Sequence, residues 1–242
     1  MITERQKERR QNTIKKLKEL DISYNENLSY IESSEEIKLK SIDEICKRII
    51  ASFCAIQVAC DINQGNDYKE SVEFFKGILE KYDIKNCFNE KEKRIFEGNY
   101  TSQDAIDLDW EYETMWALMW AVNLVDDISD GSLLCDCEAA ITLIVTSNGF
   151  EDFKSKCHLR DIEEILDMLD LYYMYHWAIV EYRCFNNYAY ITKENVEFVK
   201  TDIVNKKVKI GNLNSSNVVE RRRGLEWLIS NENDWYDIEL NT

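Results

Sequence analysis

The stretch WEYETMWALMWAVNLVDD, Trp110–Asp127, constrains this chain more than any other. From Met115 to Val125 every residue except Asn123 is apolar, so a helix here has no face left for water. A helix that is hydrophobic all round lies inside a protein or in a membrane. Eleven residues are about half of the roughly 20 that a transmembrane helix needs. Carboxylates also close both ends, Glu111 and Glu113 before the run and Asp126 and Asp127 after it. The expectation is a buried central helix in a globular domain.

What surrounds it must be mostly helical too. The 242 residues include no proline and only seven glycines, which suits long helices with short connections and leaves few turn signals for a β fold. The predicted fold is mainly α: one globular multi-helix domain spanning residues 1–242, of about eight helices, with at most a small peripheral β element. Met1–Leu20 reads as a polar N-terminal helix docked through Ile14, Leu17 and Leu20. The connection Asp21–Lys40 has room for a short strand around Leu28–Ile31. Ile42, Ile45, Ile49, Phe53 and Ile56 then mark a core-facing helix at three- and four-residue spacing, with Cys46, Cys54 and Cys60 flanking the stripe as small hydrophobes. Further helices are expected over Tyr68–Tyr82, Asn89–Glu97, Cys137–Ser147, Asp161–Arg183 and Val218–Ser230. Ser102 is the expected cap of the central helix. Residues 186–217 read as an irregular, exposed insertion.

The charge is lopsided. The net charge of −16 concentrates in residues 101–181, where 18 acidic face 3 basic side chains, a balance of −15. Residues 1–20 are the opposite, with 7 basic and 3 acidic side chains, or +4. Such acidity argues against nucleic acid or an anionic membrane as a partner, because phosphates demand Lys and Arg. It permits a basic protein partner. Glu163, Glu164, Asp167 and Asp170, with Asp161, would form the densest strip and are the candidate partner-binding residues, with Asp126, Asp127 and Asp130 nearby. The N-terminal segment has no apolar core and is no secretory signal, so a cytoplasmic chain with reduced thiols is expected.

Motifs for familiar chemistry are missing: no nucleophile elbow, P-loop, dinucleotide-binding glycines or zinc-protease helix occurs. Cys135-Asp136-Cys137 and Cys157-His158 offer three thiols and an imidazole, but the paired spacing of structural zinc sites is lacking. No metal and no cofactor is predicted. Four residues could form an acid–base site. Glu113 shares a helix face with Trp116 and Trp120, where an unpaired carboxylate would be costly. Arg221, Arg222 and Arg223 are its expected partners. His176 sits on the apolar face formed by Ile162, Leu166, Leu169, Tyr173 and Val180. A buried ion pair and a hydrogen-bonded core histidine are the structural readings; a converging Glu113, His176, Arg221 and Arg222 site is the catalytic one.

These residues also carry a family resemblance. Trp110–Asp127 followed by Cys135-Asp136 resembles the central block of the bacterial domain-of-unknown-function family numbered 4272. Leu159–Ala178 and Val218–Thr242 are similar to its second and closing blocks, and Ile14–Leu20, Tyr30-Ile31-Glu32 and Ser41–Arg48 to its opening. The resemblance covers nearly the whole chain and implies the same helical fold, with no established activity. Two departures stand out: the family's prolines near Tyr30 are absent, and Glu220-Arg221-Arg222 stands where it tends to have Glu-Arg-His. A histidine at that place is therefore no essential catalyst here. Segment 187–217 is also longer than the family's usual one. The leading functional expectation is a non-enzymatic interaction protein with an acidic face. The alternatives are an enzyme built on the Glu, His and Arg residues above, or an immunity-like protein that neutralises a basic toxin.

Overall fold

A computed structural model describes residues 2–84, 87–194 and 208–242, the side chains of 185–194 excepted. Among the described residues there are nine α-helices, one 3-10 helix and no strand. The helices are α1 (Glu4–Glu19), α2 (Ile42–Gln64), α3 (Tyr68–Lys81), α4 (Glu90–Glu97), α5 (Ser102–Ala121), α6 (Cys137–Thr146), α7 (Phe150–Ser155), α8 (Ile162–Glu194) and α9 (Ser215–Ile229), with the 3-10 turn at Trp235–Asp237. None is long and apolar enough to cross a membrane.

The packing order is a relay. The central helix α5 lies between α2 and α9, α9 packs on α8, and α8 carries α1, while α3 packs on α2 and α4 on both α2 and α5. The stripe Ile45, Ile49, Phe53 and Ile56 of α2 is fully buried. At the α5–α9 crossing, a Cβ on Gly224 would sit 2.6 Å from the Thr114 carbonyl oxygen. Only glycine permits that approach.

Several expectations need correction. The central helix is shorter than its apolar run, ending at Ala121. Asn123 turns the chain with φ 59°, and its N–H and that of Leu124 bond back to Trp120 and Met119. That is the paired bonding of a left-handed helix stop, a conformation asparagine tolerates. Val122 and Val125 stay buried because the connection keeps its apolar side chains against the core while Asn123, Asp126 and Asp127 face water. The backbone N–H groups of His158 and Arg160 take up the end carbonyls of Val122 and Ala121. At the other end the cap is Thr101, whose hydroxyl accepts from Asp104 N–H. Ser102 is already inside the helix.

Leu28–Ile31 forms no strand. Its carbonyls are bonded by side chains instead, Leu28 and Ser29 by Arg10 and Ile31 by Gln6. In α1, Leu17 is buried as expected, but Leu20 is 45% exposed. Helix α7 adds a turn of helix beyond those expected, and α8 stays helical to Glu194, well into the segment read as irregular. Positions 195–207 of that segment lie outside the described residues. From residue 208 the chain returns against the α1–α2 connection, where Ser23 N–H bonds Lys209 O, and α9 follows at Ser215.

Candidate functional site

The sequence-derived site residues separate into two buried clusters. Glu113 and Arg221 are each 2% exposed and meet at 2.8 Å between Oε2 and Nε. Arg221 also donates to Tyr172 Oη and to the carbonyls of Ile128, Asp130 and Leu133. The other Glu113 oxygen accepts from Cys135 N–H at 2.8 Å. One guanidinium thus fixes the whole loop between α5 and α6 onto α8 and α9, and neither partner has an open side.

One residue along α9, Arg222 points to a different neighbour. Its Nη1 lies 2.7 Å from His176 Nδ1, while Glu226 and the Asn241 carbonyl accept from its Nε and Nη2. Tyr173 covers the guanidinium at 4.8 Å. Burial, reinforced by the Arg222 charge, lowers the His176 pKa to about 4. The imidazole is therefore neutral at pH 7 and accepts from the guanidinium. Among the described residues, Glu113, His176, Arg221 and Arg222 line none of the cavities at α2–α4, at α1, at α3 or between α1 and α8.

The acidic strip of α8 is not an open surface. Arg5 and Arg9 of α1 fork onto Glu163 and Asp167, with contacts of 2.6–3.0 Å. Arg10 pairs with Asp170 at 2.9 Å, both side chains nearly out of solvent, under the ring of Tyr30. Asp170 in particular, 1% exposed, cannot meet a partner. The strip is answered inside the chain, by the segment that carries the opposite charge. Glu164 remains outside, its side chain 58% exposed and paired at 3.4 Å with Arg160. With Arg160, Asp126 and Asp127 it borders a groove of about 370 Å³ between α1, α8 and the segment after α5, with Trp120 and Met168 in its wall.

The candidate thiols pair separately. Cys135 and Cys137 have their sulfurs 3.6 Å apart, and Cys157 interacts with Cys46. Among the described residues no group of three or more His, Cys, Asp or Glu is arranged to hold a metal ion.

A further cluster had no place in the sequence reading. Glu111, read there as a flanking carboxylate, is fully buried. Its Oε1 accepts from Tyr236 Oη at 2.7 Å, and its Oε2 has no partner. Glu92, also fully buried, is held by Arg48 and by Asn89 N–H. Burial, and then the Glu92 charge, hold the Glu111 carboxyl well above its ordinary 4.5. A raised native pKa means that the folded chain keeps a proton which the unfolded chain releases. Stability from this group is present below the ordinary value and is lost as pH rises through the native one. Glu111→Gln is therefore expected to raise the melting temperature at pH 8, with the gain shrinking toward pH 4.5. A gain independent of pH would show that Glu111 is ionised in the fold.

Fold and clusters together define a helical domain knit by buried arginine–carboxylate pairs. The chain belongs to the family described as Domain of unknown function (DUF4272), whose profile matches residues 9–238. No curated protein and no solved structure matches it.

Proposed function

We propose that this is a non-enzymatic interaction protein that binds a basic protein through the acidic face which α1 leaves open. The observation behind this is α8 itself, whose carboxylates at 163, 167 and 170 already hold an arginine-bearing helix. Exposed Glu164, Asp126 and Asp127 extend the same field to the groove beside α1. Such a field attracts a basic surface and speeds its association, with strong salt dependence. The proposal includes a bacterial cytoplasmic setting, and an immunity-like role against a basic toxin is its narrower form. The catalytic alternative has little geometric support, since Glu113, His176, Arg221 and Arg222 spend their hydrogen bonds on one another and on their neighbours.

The test is affinity capture from the native host, followed by binding of the purified partner at low and high salt. A basic protein is expected whose affinity falls steeply with salt and drops at least tenfold in Asp126→Lys/Glu164→Lys. Glu73→Lys on α3 serves as a charge control. Absence of a basic partner, or binding indifferent to salt and to the double substitution, would overturn the proposal.

A further inference from the structure

A cavity of about 570 Å³ opens between α2, the N-terminus of α4 and the segment after α9. Two buried donor residues, Arg48 and Asn89, are in its lining. Arg48 is 6% exposed and lies under the ring of Trp235 at 4.7 Å. Its Nε bonds Ser52 Oγ, one Nη1 hydrogen bonds the Cys87 carbonyl and one Nη2 hydrogen bonds Glu92. A guanidinium has five N–H groups, so one on each Nη is left over. Asn89, 5% exposed, is the N-cap of α4, and its Oδ1 accepts from Glu92 N–H. Its amide Nδ2 is buried with no partner, as is the indole Nε1 of Trp235.

Buried donors without acceptors are rare and costly. Here two occur in the surroundings of one guanidinium, and Asn89 lines the cavity at the positive end of a helix. What is missing is an acceptor. Its charge can be bounded. Arg48 and Glu92 cancel, and the helix end contributes roughly half a positive charge, which suits a single negative charge better than two. Glu44, Glu90, Asp234 and Asp237 also line the cavity, against Lys40, Lys47 and Lys93, a balance of −1 that opposes a multiply charged anion. Phe88 and Trp227 supply apolar wall.

We propose that this cavity binds a small monocarboxylate, its oxygens received by the Asn89 amide and the free N–H groups of Arg48. The site is independent of the acidic face. Sodium benzoate is a suitable probe, with inorganic phosphate at equal ionic strength as the dianion. In ¹⁵N-resolved NMR of the full chain, the Asn89 side-chain NH₂ and the Trp235 indole N–H are the reporters. Benzoate is expected to shift the Asn89 signal saturably, and phosphate is not. Asn89→Ser keeps a good helix cap but removes the amide. It should weaken benzoate binding at least tenfold, read on the Trp235 indole signal, with the melting temperature nearly unchanged. No saturable shift with benzoate would mean that water satisfies these donors, and would overturn the proposal. So would an equal response to phosphate, or undiminished binding in Asn89→Ser.

Discussion

Arg221→Met is expected to destabilise the fold by about 3–5 kcal/mol, the usual cost of leaving one member of a buried ion pair alone. For a chain of this length that is a fall in melting temperature on the order of 10 °C. Glu113→Gln should cost less, because a glutamine oxygen can still accept from Cys135 N–H. The double variant is the informative one. If the two residues were only a pair, removing both would restore most of the loss. Arg221 also serves three carbonyls of the loop between α5 and α6, and these stay orphaned in the double variant. It should therefore remain at least about 2 kcal/mol below wild type, given about 1–3 kcal/mol for each unsatisfied group. Arg221→Lys should recover little, since an ammonium lacks the fork that reaches several acceptors at once. Denaturant melts of the four variants decide this. Near-wild-type stability of Arg221→Met would show that the guanidinium is not the tie that holds the loop.

Asp170→Ala is expected to have the second large effect, and a local one. It leaves Arg10 buried without a counter-charge, again a loss of about 3–5 kcal/mol. The chain can escape most of that penalty by releasing α1 into water, where its arginines are hydrated. Hydrogen exchange in α1 should then rise steeply while the α2–α5–α9 core keeps its protection. Arg5→Ala is the contrast. With its side chain 36% exposed, its pairs are screened and worth at most about 1 kcal/mol. If exchange rises equally throughout, α1 is an integral part of the core and not a docked layer.

How much of this could be read beforehand depends on the residue. The burial and pairing of Glu113 follow from its neighbours, because a carboxylate on a helix with no wet face must find a cation. The end of that helix was readable too. Asn123, the one polar residue in the run, is the stop, and the apolar residues after it belong to the connection. Hydrophobicity reports burial and not backbone conformation, which is why the run looked like one helix. The α8 carboxylates fell on one face as their spacing requires, but charge alone does not say whether a face is wet. The matching signal was Arg5, Arg9 and Arg10, spaced to lie along the opposing helix. Arg48 within the apolar stripe Ile45–Phe53 likewise pointed to a buried acid. Glu111 gave no such sign: a carboxylate at the edge of an apolar run looks like the way out to solvent.

The arginine face of α1 has a bearing on how the chain comes off the ribosome. Its acceptors on α8 lie 154–162 residues further on, so at ordinary elongation rates of about 5–20 residues per second they emerge roughly 8–30 s later. A leucine face left bare for that interval would invite association with chaperones or with other nascent chains. Guanidinium groups are at home in water meanwhile, and bind when the carboxylates arrive. Docking by charge lets α1 be made long before it is placed.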